Sequence, residues 1–408
     1  MTEETYEITL DKFIYGGETM GRLPEPDGRA VFVPYALPGE RVRIRLVFQK
    51  RGFARAQLLE VLEASPERIA PKCPHFGGCP GCHYHHLPYE AQLRAKEEIL
   101  RDQLTRIGKI ENPPVKKIIS APEIWNYRNQ MDFLVTERKI AGNTSPNLLY
   151  LEECHIPAPA INEFWADLEF GANDIFEQIS LRQDVADNLM FIFYSDNPET
   201  PEMTLEDELS VVHVNDGETI VMGGDDHIVT TLHGRPFRVS ATSFSHPNTA
   251  VAEKIITHLL ENLPLNPKST LLELHSGIGS FSAFFAPKVE RLICVEESPV
   301  ACDDFSINLD EYENVELYQA QAMDVLPNFD FTPDILLVDP PAGGLGRHTL
   351  DRILSLGSGT LTYVSRDPST LARDAARLIS GGYRLESVTP FDVAPQTAQI
   401  DSVAIFVK

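Results

Sequence analysis

Four of the six cysteines share a spacing that suits metal chemistry: Cys73, Cys79 and Cys82 in the run CPHFGGCPGC, with Cys154 further along. A C-x5-C-x2-C group plus a distant fourth thiol has the ligand count of an iron-sulfur cluster, and Gly77, Gly78, Pro80 and Gly81 let the backbone curl around one. Zinc also accepts four thiolates, and His75, His83, His85 and His86 widen the choice. Disulfides are disfavoured in a cytosolic enzyme. Cys294 and Cys302 fall in a predicted strand and a predicted helix, where buried thiols pack as small apolar groups.

A second constellation has the pattern of a nucleotide-type cofactor site. An apolar strand over 270–274 runs into His275-Ser276-Gly277-Ile278-Gly279-Ser280, and a helical stretch follows. The two glycines permit close backbone approach to a ligand, and the helix start offers unpaired amides. The next strand ends at Glu296, 19 residues after Gly277, where a carboxylate accepts ribose hydroxyls. The loop has no third glycine and no basic residue for a pyrophosphate, a combination that favours S-adenosylmethionine over a dinucleotide. Asp339-Pro340-Pro341 directly follows the strand at 335–338. The prolines enforce a sharp exit that holds Asp339 at the mouth of the sheet. Taken singly, each of these turns also occurs as a plain helix-packing or strand-ending device.

These residues need a frame. From about Phe237 onward, apolar strands at 270–274, 292–295, 335–338 and 361–364 alternate with helical stretches, the pattern of a doubly wound, mostly parallel α/β sheet with ligands beyond the strands' carboxyl ends. Residues 6–64 instead read as five or so short strands broken at Gly16-Gly17 and Pro38-Gly39, which suggests a small barrel. Between Arg41 and Leu59 lie Arg41, Arg43, Arg45, Lys50, Arg51 and Arg55 with no acid, and Phe48 and Phe53 are interleaved. That face is either solvated surface or one that pairs cations with phosphates and stacks bases on rings. A mixed-charge helix at 89–108 reads as a connector. Residues 160–230 carry 17 acids and one base, Arg182, and read as a central lobe that repels phosphate.

The chain has 408 residues, 43% hydrophobic content and a net charge of -25, enough for two or three domains and against a uniformly basic nucleic-acid coat. The charge is uneven: residues 1–140 hold 21 basic and 19 acidic side chains, the remainder 14 and 41, so a polyanion is expected to meet the N-terminal third. No run of about 18 apolar residues exists and no signal-peptide pattern opens the chain, so a cytoplasmic protein with no membrane contact is expected. Nothing implies a protein partner.

Together the motifs resemble the RNA 5-methyluridine (uracil-C5) methyltransferase family over nearly the whole chain. GGETMGR at 16–22, FVPYALPGE at 32–40 and SPER at 65–68 resemble its TRAM domain, an OB-like barrel. The cysteine run, HYHHLPYEAQL at 83–93, NYRNQMDF at 126–133 and Cys154 resemble its iron-sulfur segment. SFSHPN at 243–248, LELHSGIGSFS at 272–282, VEESPVA at 295–301, VDPPAGG at 338–344, YVSRDPSTLARD at 363–374 and PQTAQIDSVAIF at 395–406 follow in the family's order. The resemblance implies a class I methyltransferase domain at 237–408, a barrel that binds RNA at 1–68, and a central α+β domain at 69–236. It also implies a 4Fe-4S cluster on Cys73, Cys79, Cys82 and Cys154 in preference to zinc. The substrate class it implies is rRNA or tRNA. S-adenosylmethionine would be held by His246, His275, Gly277, Gly279, Ser280, Glu296 and Asp339.

The resemblance also exposes a departure. In the family a cysteine thiolate adds to C6 of uracil, C5 then takes the methyl group, and a carboxylate removes the C5 proton. The aligned positions here hold Arg366 and Asp401, and no cysteine follows Cys302. Further departures are His246 where the family has glutamine and Ala342 where an arginine follows DPP. Two expectations follow: methyl transfer that does not use the covalent step, or an RNA-binding homologue that retains its cofactor sites without catalysis.

Overall fold

The computed structural model describes residues 5–136, 139–141, 151–166, 168, 178–197 and 209–408; of the acidic stretch at 160–230, residues 167, 169–177 and 198–208 fall outside the described residues. Five strands, β1 (Thr5–Phe13), β2 (Glu18–Arg22), β3 (Ala30–Pro34), β4 (Arg41–Gln49) and β5 (Phe53–Glu63), close into the expected barrel in the order β1-β2-β3-β5-β4. Alternate residues such as Ile8, Leu10, Val31, Val33, Val42 and Ile44 fill its interior, as the two-residue period of a strand requires.

The arginines of β4 point outward and do not stand free. Antiparallel pairing sets Arg43 opposite Glu7 and Glu60, and Arg41 opposite Glu63. Arg41 donates to Glu7 at 2.8 Å and Glu63 at 2.9 Å; Arg43 pairs with Glu7 and Glu60. Arg45 donates to Gln57, and Arg55 lies 3.4 Å from Glu18. A run without acids in the sequence thus meets acids supplied by its neighbours in the sheet. Lys50, over the ring of the exposed Phe48, and Arg51 sit at the turn between β4 and β5.

Helix α1 (Tyr89–Arg106) is more than a connector. It leads to β6 (Gln130–Thr136), β7 (Lys139–Ala141), α2 (Pro159–Ala166), β8 (Gln178–Gln183), β9 (Leu189–Tyr194), β10 (Ser210–Asn215) and β11 (Glu218–Gly223), whose strands form one six-stranded sheet in the order β11-β10-β9-β8-β6-β7. A hairpin of β12 (His227–Leu232) and β13 (Arg235–Ser240) straddles the expected boundary at 236 and enters α3 (Thr249–Asn262), capped by Asn248.

The catalytic-type domain follows: β14 (Thr270–Leu274), α4 (Ser282–Phe285), β15 (Arg291–Glu296), α5 (Pro299–Asn308), β16 (Val315–Gln319), α6 (Ala322–Val325), β17 (Ile335–Val338), α7 (Arg347–Leu356), β18 (Thr360–Ser365), α8 (Pro368–Ser380), β19 (Arg384–Phe391) and β20 (Asp401–Val407). Sheet order is β16-β15-β14-β17-β18-β20-β19, with β14 to β18 parallel. The fold is the doubly wound, mostly parallel sheet that the strand pattern predicts, in the class I form that the resemblance implies. Strand β20 inserts antiparallel between β18 and β19, with Ser402 opposite Ser365, so Asp401 arrives beside the end of β18.

Leu100 and Leu104 of α1 are buried in the same core as Leu371 and Leu378 of α8 and Val388 of β19, so α1 is a layer of this domain. The tie is also polar. Lys96 and Asp392 form a fully buried ion pair at 2.5 Å, and Lys96 Nζ also donates to the carbonyl of Ala394 at 3.1 Å. Removing one partner of such a pair strands a buried charge, whereas replacing both by apolar groups is tolerated. Lys96→Met should therefore cost roughly 3–5 kcal/mol of unfolding free energy, and Lys96→Met with Asp392→Leu much less. Urea unfolding of the two variants checks this; equal losses would contradict it.

Candidate active site

The strand ends converge. The amide of Asp339 donates to the carbonyl of Leu274 at 3.2 Å, which sets the DPP exit of β17 against the end of β14. His275 follows Leu274 with φ at 61°, its amide held by the carbonyl of Val295 at 2.8 Å. Gly279 has φ at 83°, and a Cβ there would stand 2.3 Å from Leu309 and 2.9 Å from Phe305, so no side chain fits. Gly277 donates its amide to Glu296 Oε2 at 2.9 Å, and Glu297 and Ser298 donate theirs to Oε1, each at 2.9 Å. Three amides thus fix Glu296, while a carboxylate accepts about four bonds in all, which leaves capacity for a ligand hydroxyl.

Of the residues expected at the donor site, His246, His275, Gly277, Ser280 and Asp339 line one cavity, together with Arg366. His275 also borders a second cavity between Val295, Gln321 and Pro341, so the two together make a cleft along the strand ends. Gly279 and Glu296, also expected there, are not among the described residues that line either cavity; Glu296 reaches the first through the amide of Gly277. The histidines face it uncharged: burial, aided by the Arg366 cation, pushes His246 down to about 4, and burial lowers His275 as well.

Arg366, directly after β18, is clamped on two sides. Its Nη2 donates to Asp339 Oδ2 at 3.2 Å, and its guanidinium lies over the ring of Phe244 at 3.9 Å from the centroid. Phe244 is itself 50% exposed. Asp339 Oδ1 and Arg366 Nε are buried without hydrogen-bond partners among the described residues, polar atoms that a bound ligand would satisfy. Ser365 is engaged locally, its Oγ donating to the carbonyl of Asp367 at 3.0 Å.

Among the described residues, no thiol lines this cavity. Cys294 is buried in β15 against Ser282, and Cys302 is buried in α5 with its thiol pushed up to about 11 by burial and by the charge of Glu296. The carboxyl of Asp401 is buried, and burial pushes it up to about 7 against the opposing charge of Arg366 and a bond from Gln399.

The sequence did not single out what holds the Phe244 loop. Asp304 of α5, wholly buried, accepts from Arg238 Nε at 3.1 Å, from Ser240 N at 2.8 Å and Oγ at 2.7 Å, and from Ser243 Oγ at 2.6 Å. Arg182 closes the other side by donating to the carbonyls of Ser240 and Ser243. An acid in the second turn of α5 carries no local mark of this role; its partners are more than 60 residues away.

The four expected metal ligands border one space. Cys73, Cys79, Cys82 and Cys154 line a single cavity with His85 and Arg128. No group of three or more His, Cys, Asp or Glu among the described residues converges to hold a single ion. Burial and the neighbouring thiols push Cys154 up to about 11 and raise Cys79 and Cys82. The histidine run beside them is stitched to the end of the chain: the amides of His83 and Tyr84 both donate to the carbonyl of Gln396, at 2.8 Å and 2.9 Å.

Comparison with known proteins agrees with this architecture. The model of the tRNA (uracil-5-)-methyltransferase family matches residues 202–408, and that of the TRAM domain matches residues 1–59. An uncharacterized RNA methyltransferase of Halalkalibacterium halodurans is 31% identical over 98% of this chain and 96% of its own length. One from Thermosynechococcus vestitus is 31% identical over 98% of this chain and 97% of its own. Among solved structures, the Pyrococcus abyssi tRNA (uracil-54, C5)-methyltransferase in complex with S-adenosyl-L-homocysteine superposes with a TM-score of 0.73 at 21% identity, covering 98% of this chain and all of that one. That likeness speaks for the fold.

The buried acid gives a test. The ordinary carboxyl value of Asp401 is 3.8 and its folded value about 7, so the native state binds this proton more tightly. Its contribution to stability is then complete at low pH and is lost as pH rises through about 7. The unfolding free energy of the wild type relative to Asp401→Asn should fall from pH 4 to pH 7 and level off above about pH 8. A pH-independent difference would contradict the assignment.

Proposed function

Because the chain belongs to the tRNA (uracil-5-)-methyltransferase family, we propose that it is an S-adenosylmethionine-dependent RNA methyltransferase whose transfer step uses no thiolate. The observation that carries this reading is Arg366, clamped between Asp339 and Phe244 in a cavity that no cysteine lines among the described residues. By the family resemblance Arg366 takes the place of the nucleophile, and a guanidinium cannot add to a pyrimidine. An acceptor must then bring its own lone pair, as a nitrogen or oxygen does.

When bound, S-adenosylmethionine supplies a methyl group on a sulfonium leaving group. The chain's residues do the rest. Glu296 would hold the ribose, and Gly277, Gly279 and Ser280 would let the backbone approach the donor. Neutral His246 and His275 line the cleft without opposing a sulfonium charge, and Asp339 offsets the Arg366 cation at the mouth. Asp401, which titrates near neutrality, is the proposed acceptor of the proton that the methylated atom releases. The barrel is the proposed RNA contact, through its cations at 41, 43, 45, 50, 51 and 55. Of these, Lys50 and Arg51 beside exposed Phe48 are the best placed, since Arg41 and Arg43 are paired with acids. The target, rRNA or tRNA, is set by contacts of this kind.

A second reading has its own observation: the acid at the mouth, Asp339, is already tied to Arg366, which suits an RNA-binding protein that holds the donor without transferring its methyl group. Incubation with tritiated S-adenosylmethionine and total cellular RNA separates the two. The first reading expects label in a nucleoside other than 5-methyluridine; donor binding without transfer supports the second, and label in 5-methyluridine overturns both.

Cys73, Cys79, Cys82 and Cys154 are the proposed ligands of a 4Fe-4S cluster. Four thiols that share one cavity support this reading, and the family resemblance favours a cluster over zinc. Protein purified without oxygen should be brown with about four iron atoms per chain. Cys82→Ser should lose both the colour and the iron; a colourless wild type with one zinc would overturn the assignment.

A further inference from the structure

The turn between β1 and β2 of the barrel reaches the catalytic-type domain. It is pressed against the histidine run: Gly17 has φ at 86°, a Cβ there would stand 2.4 Å from the ring of His83, and Phe13 meets Tyr84 edge-on at 5.5 Å between centroids. Phe13, Leu37, Tyr84, Leu87, Ala91 and Ala398 form a small apolar cluster that joins barrel, α1 and the stretch before β20. So docked, the turn delivers Tyr15, whose hydroxyl donates to Asp367 Oδ2 at 2.8 Å across 352 residues of sequence.

Asp367 is the residue after Arg366, and its second oxygen starts α8. Oδ1 accepts from the amides of Ser369 and Thr370, each at 2.8 Å, and from Ser369 Oγ at 2.5 Å. Thr370 Oγ1 in turn lies 3.1 Å from the carbonyl of Ala342, which follows the DPP motif. One carboxylate therefore braces both walls of the cavity mouth, the segment that carries Arg366 and the exit of β17. Its Oδ2 is held from outside the domain, by the barrel. Bonds from Ser369, Thr370 and Tyr15 keep Asp367 ionised despite its burial, and burial together with Asp367 keeps the Tyr15 phenol protonated.

We propose that Tyr15 is a positioning residue of the donor mouth, supplied by the barrel, which acts through Asp367 to hold Arg366 and the DPP exit in register. The consequence for donor affinity rests on the function proposed above; the mechanical role does not. Two measurements keep them apart. Amide hydrogen exchange of Tyr15→Phe should show lost protection at 366–370 with the barrel strands and residues 83–87 unchanged. Loss at 83–87 with 366–370 unchanged would make Tyr15 a mere docking contact and overturn the proposal.

Calorimetric titration with S-adenosyl-L-homocysteine supplies the second readout. Tyr15→Phe and Asp367→Asn should each weaken binding by roughly fivefold, and the double variant no further than the worse single one. Asparagine still caps α8, so Asp367→Asn is expected to fold. Multiplying effects in the double variant, or an unchanged affinity in Tyr15→Phe, would overturn the route through Asp367. A wild type that binds no S-adenosyl-L-homocysteine would strike the proposed function, and the exchange experiment would still decide the role of Tyr15.

Discussion

A guanidinium fixed at the end of β18 governs how the rest of this molecule is to be understood. Arg366 meets Asp339 at 3.2 Å and Phe244 face-on, and its side chain keeps only 23% of its exposure. A desolvated cation is costly unless it is paired, and an ion pair is sensitive to whatever displaces either partner. The aromatic face adds an attraction of about 0.5–2 kcal/mol. The mouth of the donor cleft is therefore lined by a permanent cation on one wall and a carboxylate on the other, a polar arrangement in which a thiol has no place.

The surroundings make that arrangement possible. Inserting β20 between β18 and β19 brings Asp401 to Arg366, and the cation lowers the cost of the buried acid. Asp304 and Arg182 grip the loop at 240–243 from opposite sides and so present Phe244 to the guanidinium. Lys96, Asp392 and the bonds from His83 and Tyr84 to Gln396 fasten the thiol-bearing segment to the stretch that leads into β20. The thiol cavity and the donor cleft are two ends of one braced unit, and the barrel is locked to it by Phe13 and Tyr15.

Much of this was legible in the residues themselves. Short β-rich runs broken at Gly16-Gly17 and Pro38-Gly39 marked a barrel of five or so strands, apolar runs marked the parallel strands, and Gly277, Gly279, Glu296 and Asp339 carried the cleft in local spacing. The four thiols were found by count and spacing, and the structure brings them to one cavity. What stayed hidden depends on neighbours remote in sequence. The cations of β4 looked unopposed because Glu7, Glu60 and Glu63 lie on adjoining strands. Helix α1 looked like a connector because its mixed charge concealed the packing of Leu100 and Leu104 on α8 and β19. Asp304 and Tyr15 have ordinary local contexts; only the fold sets them against Ser243 and Asp367.

The claim that no thiolate attacks the acceptor can be tested without knowing the target. RNA that contains 5-fluorouridine traps a covalent protein adduct wherever a cysteine adds to C6, because the fluorine cannot leave as a proton does. Incubated with S-adenosylmethionine and such RNA, then denatured and resolved by electrophoresis, this protein should show no RNA-shifted band. A denaturation-stable adduct would mean that a nucleophile reaches the pyrimidine after all, and the account of Arg366 would fall.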